Sequence, residues 1–210
     1  MIRTVEKLAL VSFHLSLGWW AYRALSFGPE INPMLHIGVI VLGFFLADWF
    51  SGIVHWMCDH LGTPETPLWG LIAGPFRDHH DDPLKITTIP LSENLGYSAI
   101  AGCLFFWVTV QFIPVGTGLG WTWLWFLEFS LLSNLFHRWS HFPAARKPAW
   151  MKTLQRLGVL LPPAVHGAHH KAPYRVNYCI LSGWANPVTN HTPWTLLEKA
   201  LSRLGVTISD

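Results

Sequence analysis

Residues 47–83 read ADWFSGIVHWMCDHLGTPETPLWGLIAGPFRDHHDDP. The stretch begins inside an apolar segment and ends in a polar, proline-punctuated run, with His55 and Asp59 at the crossing and His79 and His80 beyond it. Two later stretches repeat the chemistry: FHRWSH carries His137 and His141, and HGAHH carries His166, His169 and His170. The chain around them has 210 residues, 51% hydrophobic and 12% charged, with 13 tryptophans and 12 histidines. Ordinary soluble domains are about 25% charged, so this composition points to a membrane protein, organised at this length as a single domain over residues 1–210.

Working outward, apolar segments long enough to cross a bilayer at about 20 residues each fall at roughly 8–27, 34–58, 95–115 and 121–136. A signal peptide is the rival reading of the first, but no small-residue cleavage site follows it. Residues 59–91 carry Pro64, Pro67, Pro75, Pro83 and Pro90, which argues against a long regular helix there. After the fourth segment, Trp150, Leu154, Leu157 and Leu161 recur at helical spacing up to Pro162, with Lys152, Gln155 and Arg156 between them, the pattern of an interfacial amphipathic helix. Residues 193–204 form a second such candidate, with Thr192 as N-cap and Pro193 at the first helical position. The expected fold is an all-α membrane protein: four transmembrane helices, a histidine-rich metal-binding cap and interfacial helices.

Four spans put both termini and residues 59–91 on one side. Arg3, Lys7, Arg77, Lys85 and every basic residue from Arg138 onward fall there, against Arg23 alone on the other. By the distribution of lysine and arginine that side is cytoplasmic, and all the histidine clusters lie on it or at its membrane boundary. The net charge of +2 gives no reason to expect nucleic acid. Cys58, Cys103 and Cys179 are scattered and odd in number, so they read as free thiols.

His55 and Asp59 are four apart, as are His137 and His141, which places each pair on one helical face. His166, His169 and His170 offer i, i+3 and i+4, and the tandem His79–His80 can reach two metals from one short segment. Eight histidines and one carboxylate suit two metals with four or five ligands each, and imidazole with a single carboxylate suits iron, copper or zinc. A lone histidine at a helix end is ordinarily a hydrogen-bonding residue; three clusters on one membrane face outweigh that reading. It stands for His14, without a partner in the first span, for His36, and for His191 before a helix start. His60 points about 100° away from Asp59 on a helix and is left out of the set. Asp48, seven residues before His55, and Asn134, three before His137, are polar groups on the ligand faces. They are candidates for holding a liganding imidazole or contacting a lipid headgroup. Glu128 lies half a rotation from His137 and is read as a protonated or helix–helix hydrogen-bonded acid.

Four motifs in order, ADWFSGIVHWMCD, PFRDHHDDP, SNLFHRWSH and LPPAVHGAHHKAP…NYCILSGWANP, resemble those of the plasmanylethanolamine desaturase family, which is related to plant plastid desaturases that place a trans double bond in the palmitoyl chain of phosphatidylglycerol. The resemblance covers residues 47–187. It implies a membrane-embedded, oxygen-dependent di-iron desaturase acting on an intact phospholipid, with His55, Asp59, His79, His80, His137, His141, His166, His169 and His170 at two iron ions. For the plasmanyl reaction it implies a vinyl ether formed in the sn-1 alkyl chain with O2 as co-substrate. Arg77 and Asp82 lie inside the matching run without an assigned role. The chain carries no haem motif, dinucleotide fingerprint or iron–sulfur cysteine set, so the electron donor is expected to be separate, a cytochrome b5-like or ferredoxin-like protein with its reductase. An acyl-lipid desaturase or hydroxylase with the same di-iron core is the alternative. Outside the oxidases, a metal transporter would place ligands near the bilayer midplane, and a diheme cytochrome would pair histidines across spans at depth. A zinc protease would need HExxH, which HGAHH is not.

Overall fold

The computed structural model describes residues 2–29 and 32–209. They form nine α-helices: α1 (Ile2–Phe27), α2 (Pro33–His60), α3 (Gly70–Asp81), α4 (Leu91–Thr109), α5 (Gly118–His141), α6 (Ala149–Arg156), α7 (Pro163–His169), α8 (Asn186–His191) and α9 (Trp194–Arg203). No strand occurs among the described residues beyond one isolated antiparallel bridge, Leu61 to Ile208. Two helical stretches, Pro33–His60 and Leu91–Phe112, are both long and apolar enough to cross a membrane. The chain divides into two compact units, Met1–Ala47 with Ile89–Leu135, and Asp48–Thr88 with Phe136–Asp210. Helices α2 and α5 contribute residues to both.

In the first unit, α1 packs along α4 around Phe13, Leu17, Trp20, Leu95, Ala99 and Phe106, with Trp121, Trp123 and Leu127 of α5 completing the buried cluster. A small residue sets the packing at Gly102: a Cβ there would meet the Phe13 ring at 2.7 Å, so a larger residue would have to displace that ring. Leu8, Val11, Leu15, Leu104, Trp107 and Val108 point outward and stay exposed. His14 is not alone: its Nε2 lies 3.7 Å from a carboxylate oxygen of Glu128, so Glu128 bridges α1 and α5.

The second unit departs from expectation at three places. Residues 70–81 form a 12-residue helix, α3, despite Pro75 inside it. One proline removes a single backbone donor, and the turn ahead of the helix is closed by Gly70 donating to the Thr66 carbonyl and Ala73 to the Trp69 carbonyl. Helix α6 ends at Arg156, and Gly158 with φ of 69° turns the chain out of it. Its buried face is Met151 and Gln155, while Trp150 and Leu157 remain exposed. Gln155 is inside because it is satisfied there, donating to the Trp139 and Leu161 carbonyls and accepting from Lys147. Pro193, not Thr192, caps α9, because the Thr192 hydroxyl donates to the Val188 carbonyl at the end of α8.

Candidate metal centre

All nine expected donors lie in the second unit. The last turns of α2 carry His55 and Asp59, α3 carries His79 and His80, the end of α5 carries His137 and His141, and α7 with its C-cap carries His166, His169 and His170. They gather into two groups: His79, His137, His141, His166 and His170 in one, and His55, Asp59, His80 and His169 in the other. Within each group the donor atoms lie within 4.8 Å of one another. Helix geometry explains the division. Every i, i+4 pair stays together, whereas helical neighbours diverge by about 100°, so His79 and His80 part company, and His169 leaves His166 and His170.

The distances within the five-histidine group suit a shared cation. The Nε2 atom of His137 has the Nε2 atoms of His166, His79 and His141 at 2.8, 3.0 and 3.3 Å. His79 Nε2 also lies 2.9 Å from His141 Nε2, and His170 Nε2 lies 3.0 Å from His166 Nε2. A ring nitrogen carries one proton at most, so one nitrogen cannot hydrogen-bond to three others. An ion held about 2.0–2.1 Å from each nitrogen spaces neighbours at right angles by about 3.0 Å, which these separations match. In the second group the Asp59 carboxylate stands 3.6 Å from His55 Nε2, 3.7 Å from His80 Nε2 and 3.4 Å from His169 Nε2. Both of its oxygens, and His55 Nε2, are buried without any hydrogen-bond partner. A buried carboxylate in that condition calls for a cation. The donor chemistry fits iron, with imidazole predominant and one hard anionic oxygen.

Two of the rings are held from behind. His55 Nδ1 lies 2.9 Å from the Tyr178 carbonyl, and His169 Nδ1 lies 2.9 Å from the Val176 carbonyl. A carbonyl only accepts, so each Nδ1 carries the proton and each Nε2 presents its lone pair to the site. His80 stacks on Tyr174 at 4.5 Å between ring centroids. Tyr174 and Asn177 take left-handed backbone, φ of 59° and 57°, which is uncommon without glycine. Asn177 is fixed there by donating to the Val165 carbonyl and by its backbone N–H on Asn190. Sequence reasoning missed Val176 and Tyr178, because a backbone carbonyl leaves no side-chain signature.

Burial first, and then the neighbouring imidazoles, hold His79 and His166 below the ordinary histidine value of 6.5, with His170 down to about 3. His80 is also lowered, mainly by burial. A base lowered by folding binds its proton more readily in the unfolded chain, so its neutral form favours the fold at high pH. That contribution is lost as pH falls below 6.5 toward the folded value. The metal-free protein is therefore expected to lose thermal stability progressively between pH 6.5 and 4. Melting followed by tryptophan fluorescence across that range checks it; a flat profile would mean that the rings are not buried neutral.

The remaining polar candidates do other work. The buried Asp48 carboxylate accepts backbone N–H groups of Leu181, Ser182 and Gly183 on one oxygen and of Ala185 on the other, so it anchors a backbone segment and touches no imidazole of the site. Asn134 donates to Ser98, within the first unit. His60 bonds the Tyr178 hydroxyl at 2.9 Å and belongs to neither donor group. Arg77 closes the end of α2, donating to the Cys58, Leu61 and Gly62 carbonyls and to Ser209. The Asp82 carbonyl accepts from Lys85 in the turn after α3. His191 ends α8 with its ring on the Pro187 carbonyl.

Residues 44–207 match the family model described as a lipid desaturase domain. A plasmanylethanolamine desaturase of Myxococcus xanthus is 36% identical over 195 residues, covering 90% of this chain and 68% of the relative. Plasmanylethanolamine desaturase 1 of Mus musculus is 32% identical, covering 83% of this chain and 68% of the relative. Fatty acid desaturase 4, chloroplastic, of Arabidopsis thaliana is 35% identical, covering 74% of this chain and 48% of the relative. The chain thus spans about two thirds of the first two proteins and about half of the plant one. No solved structure matches. With the four motifs inside the matched residues, the chain belongs to the lipid desaturase family, alongside the plasmanylethanolamine desaturases and the plant fatty acid desaturase 4 proteins.

Proposed function

We propose that this lipid desaturase is a di-iron enzyme that forms the vinyl ether of plasmalogens, removing two hydrogens from the sn-1 alkyl chain of a plasmanyl phospholipid. The observation that carries the metal assignment is the division of nine donors into sets of five and four, with adjacent His79 and His80 supplying one to each. Two plasmanylethanolamine desaturases among the relatives support this choice of substrate. Iron, with O2 and two electrons, supplies an oxidant strong enough to attack an unactivated C–H bond. The chain's own part is to fix the imidazoles. The Tyr178 and Val176 carbonyls hold the protons of His55 and His169 on Nδ1, and Phe76 packs edge-on against the His55 ring at 5.3 Å, keeping water from that side.

The topology that goes with this reading has four spans, α1, α2, α4 and α5, with both termini and the histidine groups on the cytoplasmic side. It is supported by the lysine and arginine distribution. From there a separate cytochrome b5-like or ferredoxin-like carrier can deliver electrons, while the alkyl chain arrives from the bilayer. An acyl-lipid desaturase is the second reading, and the similarity to plant fatty acid desaturase 4 favours it.

The test is lipid analysis of an aerobic host that contains ether phospholipids and a competent electron donor. It would express this chain or its His79→Ala variant, with the Myxococcus relative as positive control. Acid-labile vinyl ether lipids are expected with the parent and not with the variant. A new acyl double bond instead would move the activity to the second reading. No new lipid beside a working control would end both.

A further inference from the structure

A cavity of about 240 Å³ opens onto the five-histidine group. It is lined by Pro83, Ser140, His141, Pro163, His166, Gly167 and His170. Three of its walls are imidazoles of that group, and no leucine, phenylalanine or tryptophan lines it. It is smaller than the pockets of about 300–1,000 Å³ that enclose drug-sized molecules, and room for a water-sized molecule is about 30 Å³. Beside it Lys147 is buried, its ammonium donating to the Ser140 carbonyl and to Gln155, with no carboxylate in ion-pair range among the described residues. A mouth with small, rigid walls that ends on imidazoles beside a buried cation suits a small diatomic or linear ligand that gathers negative charge. No long aliphatic side chain lines it to grip an alkyl chain.

We propose that this cavity is the entry and binding site through which dioxygen, and small probes such as nitric oxide and azide, reach the five-histidine centre. The lipid chain approaches elsewhere. The inference rests on the di-iron reading above.

Gly167 makes the test clean. It lies in α7, and a Cβ built there meets nothing within 4 Å, so the first carbon of a side chain is accommodated there without displacing the fold. Leucine is also a better helix former than glycine. The variant Gly167→Leu in the full iron-loaded protein is compared with Gly167→Ala and the parent. Stopped-flow spectroscopy follows nitric oxide binding to the reduced iron, with iron content and melting temperature measured beside it. Association is expected to slow by about tenfold or more in Gly167→Leu, because a close-packed side chain fills the path, and by less in Gly167→Ala. Iron content and melting temperature are expected to hold, and the KM for O2 to rise. Unchanged nitric oxide association with iron in place overturns the entry route and leaves the di-iron reading standing. A raised KM for lipid with unchanged nitric oxide association assigns the cavity to the substrate chain instead. A parent protein that binds no iron overturns the di-iron reading, and the inference falls with it.

Discussion

Asp59→Ala is expected to abolish desaturase turnover and to leave the metal-free protein at least as stable as the parent. The two effects have one cause. Both Asp59 oxygens are buried without a hydrogen-bond partner, facing the Nε2 atoms of three histidines at 3.4–3.7 Å. In the metal-loaded protein that carboxylate supplies the only negative charge in its donor group. Residues that merely support a ligand cost about 10–100-fold when removed, so loss of a direct donor should exceed 100-fold. Without metal, at pH 8, the same carboxylate is a desolvated charge with no hydrogen-bond partner, and such a group opposes folding. The five-histidine group shares no donor with Asp59, so the variant should retain one iron of the expected two. Iron analysis, turnover and melting of the metal-free protein at pH 8 check all three parts. Retention of two irons with full turnover would remove Asp59 from the donor set. A marked loss of stability in the metal-free variant would show that its oxygens have partners in solution.

That these nine residues could gather was legible because candidate-ligand chemistry and helical period coincide in the chain. His55 with Asp59, His137 with His141, and His166 with His170 are all four apart, and each pair shares a donor group in the structure. Their division was not legible, because which group a residue joins depends on how α3 and α7 are aimed, and no local pattern records that. The helix α3 itself was hidden by Pro75, since a single proline weighs heavily in a local reading and lightly once the preceding turn is fixed by Thr66 and Trp69. Positional reasoning misled at Asp48 and Asn134. Both lie on the helical face of a histidine donor, yet a side chain is claimed by the strongest partner in reach. For Asn134 that is Ser98, and for Asp48 it is a turn of backbone more than a hundred residues away in sequence. His14 shows the converse: it reads as unpartnered in its own span, and its partner Glu128 stands on another helix.

The second large effect follows from that turn. Asp48→Ala removes the acceptor of four backbone N–H groups, those of Leu181, Ser182, Gly183 and Ala185. Most of this segment is buried, so water does not readily replace the carboxylate. Each unsatisfied buried donor costs about 1–3 kcal/mol, and local relaxation recovers part of the sum. A destabilisation of about 3–5 kcal/mol, at the upper end of single substitutions, is expected. Asp48→Asn should cost less. Its amide oxygen can still accept from Leu181, Ser182 and Gly183, but its NH2 then faces the Ala185 N–H, donor against donor. The damage should reach the metal site through the backbone. Ser51 on α2 accepts from Ile180, and two residues earlier the Tyr178 carbonyl fixes the His55 ring. Loosening residues 180–185 loosens that carbonyl, and supporting contacts of this kind are worth about 10–100-fold in metal affinity. Chemical denaturation of the metal-free variants reads the first effect, and iron retention against a chelator reads the second. Asp48→Ala is expected to be weaker than Asp48→Asn in both, and Asp48→Asn weaker than the parent. If stability falls in that order while iron retention does not move, Asp48 holds the fold alone, and the Tyr178 carbonyl keeps its place by other contacts.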